Sequence, residues 1–383
     1  MSASVTLPDG TFTFTGAGRE YVTPGAAFTG RTAYAAAHVV ADPAAENVPG
    51  AAAALDWEAT LRFRRHLWAH GFGVAEAMDT AQRGMGLDYA ATRELIRRSS
   101  AEAADVGGAI VAGVATDQLP VGPAGLDDIR KAYVEQLHDV EEAGATPVLM
   151  CSRHLAAAAG SPDDYLSVYG DLLGQAGRPV ILHWLGEMFD PALAGYWGSS
   201  DIAGATGTVL ALIAEHPGRV EGIKVSLLDA DMEIALRRRL PAGVRMYTGD
   251  DFNYPTLIKG DEQGFSHALL GVFAAIAPPA AAALRALDAG DLDTYDRIME
   301  PTVPLGRHIF GAPTYYYKTG IVFLNWLAGR QDHLVMVGGL QSGRSPRHLI
   351  ELFRLADAAG VLPDADLAAH RARAWLTTVG VAQ

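Results

Sequence analysis

The stretch Val220-Glu221-Gly222-Ile223-Lys224-Val225-Ser226-Leu227-Leu228-Asp229 reads as a buried strand, aliphatic and β-branched, with one lysine where another Val or Ile would be expected. A cation inside a strand is costly unless it sheds its proton or finds a partner, and desolvation lowers a lysine pKa until a free amine exists near neutral pH. Such an amine can attack a carbonyl carbon. The alternative is that Lys224 ends its strand and snorkels to solvent, or pairs with a carboxylate such as Asp250 or Asp251.

Outward from this strand one pattern repeats. Helical spacing over 57–70, 89–104, 126–143, 163–175 and 206–216 is followed each time by an apolar run, at 73–78, 109–114, 146–151, 179–185 and 220–227. A helix over 230–240 then leads to 244–248, and a connection through 254–259 leads to 264–269. With the run at 32–41 these make eight strand candidates. Short apolar strands separated by crossover-length helices predict a covered parallel sheet, and eight units predict a closed (β/α)8 TIM barrel, an α/β fold. No glycine-rich dinucleotide fingerprint follows any strand, which weighs against an open doubly wound sheet. Alternation over 5–15 around Pro8-Asp9-Gly10 predicts a hairpin. After Ala277-Pro278-Pro279 the pattern turns helical, at 280–289, 292–299, 319–327 and 347–359. The expected organisation is an N-terminal β-hairpin arm over 1–30, a barrel over 31–277 and a C-terminal helical extension over 278–383 packed against it.

The chain has 383 residues, 49% of them hydrophobic, enough for a substantial core. Its net charge of −14 argues against nucleic acid or an anionic membrane as partner. The first residues lack the charged and apolar regions of a secretory signal, and no apolar span is long enough for a bilayer. A single cysteine, Cys151, excludes an intrachain disulfide and a thiolate-cluster metal site. The expectation is a cytoplasmic protein acting on a small molecule.

In a barrel of this class, chemistry sits at the carboxyl ends of the strands. Those ends carry Asp79-Thr80-Ala81-Gln82-Arg83, Thr116-Asp117, Ser152-Arg153-His154, His183, Asp250-Asp251 and, on the eighth run, Ser266-His267. His183 follows four apolar residues and can shuttle protons or be a hydrogen-bonded core histidine; His154 and His267 share that ambiguity, with the structural role favoured. Thr80 and the backbone at Ala81 suit a substrate carboxylate, or Thr80 is a turn residue bonding its own backbone. Asp250 and Asp251 with His183 and His267 make the best metal set, but without a compact ligand motif no metal is expected. The run Tyr315-Tyr316-Tyr317-Lys318 is expected to be helix-start packing.

The order Gly222-Ile223-Lys224, Thr248-Gly249-Asp250-Asp251 and Gly264-Phe265-Ser266, followed by Ala277-Pro278, resembles the dihydrodipicolinate synthase and N-acetylneuraminate lyase family over roughly residues 32–330, as a divergent branch. The resemblance implies a barrel whose Lys224 forms a Schiff base with a 2-oxo acid such as pyruvate, without a cofactor, in a homodimer or homotetramer. It also implies departures. Of the family's Gly-Thr-Thr-Gly-Glu loop only Thr80 matches, within Asp79-Thr80-Ala81-Gln82-Arg83; His183 replaces the tyrosine of a Tyr-Asn-X-Pro motif. The strand-4 tyrosine region is Ser152-Arg153-His154, and the arginine that binds a second substrate would fall near Met188, where there is none. Dihydrodipicolinate synthesis itself is therefore not expected. Arg83 and Arg153 each offer a bidentate fork to a carboxylate or phosphate in place of the lost neutral donors. The expected function is a Schiff-base aldolase or lyase acting on a 2-oxo acid or keto sugar derivative. Lys224 would be nucleophile, His183 acid and base, and Thr80, Asp250 and Asp251 would contact substrate or orient the mouth. An imine-dependent dehydratase, a metal-assisted isomerase or hydrolase using His183, His267, Asp250 and Asp251, and a barrel that binds a ligand without turnover are the alternatives.

Overall fold

The computed structural model describes residues 3–22 and 24–383; Met1, Ser2 and Thr23, within the span expected to form the arm, lie outside the described residues. In chain order the first elements are β1 (Ser4–Leu7), β2 (Gly10–Thr13), β3 (Ala33–Ala36), α1 (Trp57–Ala69), β4 (Gly73–Glu76), α2 (Tyr89–Val106) and β5 (Ile110–Val114). Next come α3 (Leu126–Glu142), β6 (Thr146–Leu149), α4 (Arg153–Ala158), α5 (Pro162–Gln175), β7 (Val180–Leu185), α6 (Ile202–Glu215) and β8 (Val220–Ser226). They are followed by α7 (Ala230–Arg237), β9 (Arg245–Thr248), α8 (Tyr254–Lys259) and β10 (His267–Leu270). The chain ends in helices α9 (Phe273–Asp288), α10 (Leu292–Met299), α11 (Thr302–Ile309), α12 (Tyr317–Leu327), α13 (Pro346–Ala358) and α14 (Ala365–Thr378). Two compact units are distinguished: residues 31–37 with 73–271, and residues 1–30 with 38–72 and 272–383.

The first unit holds all eight strands of a closed parallel barrel, in the order β10-β3-β4-β5-β6-β7-β8-β9, so the expected (β/α)8 TIM barrel is present. Local sequence sets the connections. Asp88 caps α2 by accepting from the Ala91 N–H, and Gly107 ends that helix at φ 67°, where a side chain would be strained. Asp229, the last residue of the opening stretch, caps α7 through the Met232 N–H, so strand β8 passes directly into a helix start.

Parallel register fixes which residues face inward. Following the pairing around the ring stacks side chains from alternate strands in layers of four, numbered here from the amino ends. Tyr34, Val111, Ile181 and Tyr247 form the first layer, and Ala75, Val148, Lys224 and Leu269 the second. Ala36, Gly113, His183 and Gly249 form the third. The third layer is thin because two of its members have no side chain. A Cβ on Gly249 would collide with Ser226 Oγ and stand 2.8 Å from both Lys224 Cε and the Val225 carbonyl, so glycine there is what leaves room for the lysine. Beneath the tyrosines the barrel is closed by polar contacts. The Tyr247 hydroxyl donates to Glu221 at 2.7 Å, and Glu221 pairs with Arg245.

The eighth strand differs from expectation at its start. It begins at His267 and not at Gly264, because Asp261 and Gly264 bridge across a turn. Pro278 and Pro279 lie inside α9, just after a kink at Ile276 (φ −108°, ψ 19°), in a first turn where missing N–H groups cost least. Helices α4, α11 and α14 were not marked by the apolar spacing.

In the other unit, β1 and β2 pair as the expected antiparallel hairpin. Phe12 and Phe14 pack on Phe353 of α13 with ring centroids 5.6 and 5.3 Å away, and Asp357 accepts from the Thr15 N–H and hydroxyl. The C-terminal helices α9 to α14 belong to this unit, together with residues 38–72. Tyr317 begins α12 and stacks on Phe310 at 4.3 Å, which is the helix-start packing anticipated for the tyrosine run. Among the described residues no helix is long and apolar enough to cross a membrane.

Two predictions follow from the barrel's packing. Gly249→Ala should lose about 1–3 kcal/mol of stability by overpacking the third layer, read from denaturant melts; unchanged stability would show that β9 yields freely. Glu233 of α7 is buried, accepts from Ser266 Oγ at 2.7 Å, and burial pushes its carboxyl up to about 8 from 4.5. Between those values the folded chain keeps a proton that the unfolded chain has released, so stability falls as pH rises through that window. Glu233→Gln should remove a loss on the order of a few kcal/mol between pH 5 and 8.5, visible as a flatter dependence of Tm on pH.

Candidate active site

Lys224 and His183 are lateral neighbours in the ladder between β8 and β7, and both face the barrel interior. Lys224 is 4% exposed and His183 is fully buried. Burial lowers the Lys224 pKa from 10.5, while the carboxylates of Asp79 and Asp251 pull it back up; burial prevails, and the neutral amine is favoured relative to a lysine in water. His183 is held well below 6.5 by burial first and by the Lys224 charge second, against the pull of Asp79, so its imidazole is neutral at pH 7. His183 Nε2 lies 3.3 Å from Ser226 Oγ, and its Nδ1 is buried with no hydrogen-bond partner among the described residues. Ser226 faces inward because it stands two residues beyond Lys224 on the same strand.

Each carboxylate is placed by a turn at a strand's carboxyl end. Asp79 opens the 3-10 turn Asp79–Ala81 after β4, in which Thr80 is buried. The Ala81 N–H donates to the Met78 carbonyl, so the backbone donor expected there for a substrate carboxylate is used by the turn. Asp250 accepts from the N–H groups of Phe252 and Asn253 and from Asn253 Nδ2, at 2.8–3.0 Å. It shapes the turn that presents Asp251. Of the expected pair, Asp251 is the one whose charge acts on Lys224.

Beside these groups a cavity of about 330 Å³ opens at the carboxyl ends of β4 to β7. Asp79 lines it, which joins it to the Lys224 and His183 field, and so do Ala115 and Met150 of the barrel core. Arg153 and Asp190 stand on its rim as an ion pair with Nε 2.6 Å from Oδ2. His154, also on the lining, is held by Thr116 Oγ1 at its Nδ1 and by the Pro120 carbonyl at its Nε2, both at 3.1 Å.

Three expected site residues are placed elsewhere or otherwise engaged. Arg83 was expected to offer its fork to a ligand, but Nε and Nη2 grip Asp117, Nη2 also donates to Gln136, and Nη1 donates to the Gly113 carbonyl at 2.7 Å. It is wall, not ligand contact. Ser266 precedes β10 and bonds Glu233 on α7. His267 opens β10 one layer below the tyrosines, its ring 5.7 Å from that of Tyr247 and its Nδ1 accepting from the Thr32 N–H at 2.9 Å. Tyr247 therefore lies between His267 and the amine, and the set His183, His267, Asp250 and Asp251 does not come together. Among the described residues no three His, Cys, Asp or Glu side chains gather in a way that could hold a metal ion.

The sequence list omitted Asp79 and Ser226. Ser226 was signalled by the two-residue period from Lys224. Asp79 was signalled only by its place directly after a strand.

Comparisons with known proteins agree with this architecture. The chain superposes on a dihydrodipicolinate synthase from Aquifex aeolicus with a TM-score of 0.64 and 14% identity, covering 87% of this chain and 99% of that one. YagE, a prophage protein of the dihydrodipicolinic acid synthase family from E. coli K12 in complex with pyruvate, gives 0.67 at 14% identity over 86% and 99%. A putative dihydrodipicolinate synthetase from Pseudomonas aeruginosa gives 0.63 at 17% identity over 86% and 99%. At these identities the likeness is one of fold, and it is the fold that the residues around Lys224 implied. No curated protein matches the chain. The family described as Protein of unknown function (DUF993) matches residues 10–381, and the chain belongs to it.

Proposed function

We propose that this protein is a Schiff-base lyase that makes or breaks a bond next to the carbonyl of a 2-oxo acid, with Lys224 as nucleophile. The observation that carries the proposal is one amine in the second layer of the barrel, its proton destabilised by burial, beneath a layer thinned by Gly113 and Gly249. The likeness in fold to YagE, solved with pyruvate, adds support.

The chemistry runs as follows. The Lys224 Nζ lone pair adds to C2 of the oxo acid, one proton passes from Nζ to the former carbonyl oxygen, and a second proton, delivered by the acid catalyst, lets that oxygen leave as water and gives an iminium. The iminium draws electrons from C3, a base takes a C3 proton, and the resulting enamine attacks an aldehyde carbon whose oxygen then takes a proton. Water releases the product and restores the amine; the reverse sequence is cleavage. His183 is the proton carrier in this scheme. Its neutral ring, with one nitrogen near Ser226 and the other unpartnered, can accept before it donates. Thr80 contacts the oxo acid's carboxylate.

Asp79 and Asp251 have a role that follows from charge. They oppose deprotonation of the free lysine, and by the same attraction they favour the protonated Schiff base, the iminium, over the neutral imine, so the two carboxylates stabilise the intermediate. Burial keeps the resting amine available, and the acids favour what it becomes.

Sodium borohydride added with pyruvate should fix a reduced pyruvyl group on the peptide containing Lys224 and on none containing Lys131, Lys259 or Lys318. Lys224→Arg should abolish trapping while melting like the parent within a few degrees. No adduct with pyruvate or a longer 2-oxo acid, or an adduct on another lysine, would overturn the proposal.

A further inference from the structure

We infer that Glu233 is a positioning residue for Lys224: from the helix layer it braces the turn at the carboxyl end of β9 that sets Asp251 against the amine. The inference rests on the proposed reaction, in which Asp251 favours the iminium, and adds a residue that serves that carboxylate without touching substrate.

The brace follows from the two-residue period of β9. Tyr247 and Gly249 face the barrel interior, so Thr248 between them faces outward, toward the helices. Glu233 of α7 meets it there. The glutamate is buried, its Oε1 accepts from Ser266 Oγ at 2.7 Å, and hydrogen bonding by the Thr248 hydroxyl acts on it as well. Thr248 Oγ1 in turn accepts from the Asp250 N–H at 3.1 Å. Asp250 Oδ1 then closes the turn by accepting from the N–H groups of Phe252 and Asn253. Asp251 lies inside that closed turn, and the charges that bear on Lys224 are those of Asp79 and Asp251. Every residue from Glu233 through Thr248 and Asp250 to Asp251 and Lys224 is buried, so a shift at the glutamate has little room to be absorbed before it reaches the amine.

A helix that only had to cover β9 would do so with an aliphatic side chain, at no cost for burying a polar group. What the acid adds is one group that reaches two hydroxyls, on Thr248 and on Ser266. Burial pushes its carboxyl up to about 8; Ser266, Thr248 and Arg237 of the same helix oppose the rise and Asp250 adds to it, while Arg237 is itself held by Asp261 at 2.9 Å. The group is therefore chiefly uncharged at pH 7, and it stands beside Asp250 without like-charge repulsion.

The midpoint of the Lys224 amine, followed by 13C NMR in the full-length protein, reads the brace without any reaction. Glu233→Ala removes it, releases Asp251, and should lower that midpoint by about one unit, the scale of one nearby carboxylate. Glu233→Gln keeps a polar group on both hydroxyls and should hold the midpoint at or above the parent's. Thr248→Val cuts the same link at its other end and should reproduce the fall, which covers the case in which Glu233→Ala does not fold. In an Asp251→Asn background neither Glu233→Ala nor Thr248→Val should move the midpoint further, because the residue through which they act no longer carries charge. At pH 7 the pyruvate adduct trapped on Lys224 should drop several-fold in Glu233→Ala and recover in Glu233→Gln. A midpoint unmoved by both Glu233→Ala and Thr248→Val, or a fall that persists in the Asp251→Asn background, would overturn the inference. A substitution-dependent midpoint without any pyruvate adduct leaves the brace standing and sinks only the oxo-acid chemistry; trapping without a moved midpoint sinks only the brace.

Discussion

The structure turns on one balance of forces at the Lys224 amine. Taking that group into the second layer of a closed barrel penalises its charge, and Asp79 and Asp251 only partly compensate. Had the acids won, the lysine would be a buried salt bridge with little nucleophilic character. Because burial wins, the field around Nζ suits the proposed chemistry, in which the amine arrives neutral and its protonated Schiff base is cationic. Gly249 maintains that balance by keeping the space above the amine open, and β7 brings His183 to it through the same ladder.

In the proposed chemistry His183 is more than a replacement for another proton carrier. An imidazole pushed well below its ordinary range by burial and by the lysine's charge is a weak base in the resting site. It gains basicity as negative charge develops beside it, and Asp79, which raises its pKa, also faces the amine. A single carboxylate thus acts on both groups. The arrangement couples the protonation of Lys224 and His183, so each should be measured with the other intact.

Much of the fold was legible because its strands are buried on both faces and read as unbroken apolar runs between helices. Lys224 and His183 stood out as ionisable residues inside such runs. What was not legible is informative. An apolar run does not tell its amino end from its carboxyl end when the turn before it also contains apolar residues, and Gly264-Phe265-Ser266 moved the eighth strand's apparent start by three residues. That displacement carried Ser266 and His267 into the candidate list, although they lie at the far end of the barrel. Arg83 was misjudged because its partners, Asp117 and Gln136, come from another strand end and another helix, which only the closed ring brings together. Asp79 was named at its strand end but given no role, because a lone aspartate after a strand usually serves as a turn residue, and its effect depends on a lysine 145 positions later.

The central claim, that the barrel lowers the pKa of one lysine enough to make it a nucleophile, is most directly tested by titrating that amine in the resting protein. Lysine labelled with 13C at Cε, assigned through loss of one resonance in Lys224→Arg, can be followed by NMR between pH 5 and 11. The predicted midpoint for Lys224 lies clearly below the ordinary 10.5. A midpoint at or above 10.5 would contradict it, by showing that Asp79 and Asp251 hold the proton in place and that the barrel contains an ion pair where a nucleophile has been assigned.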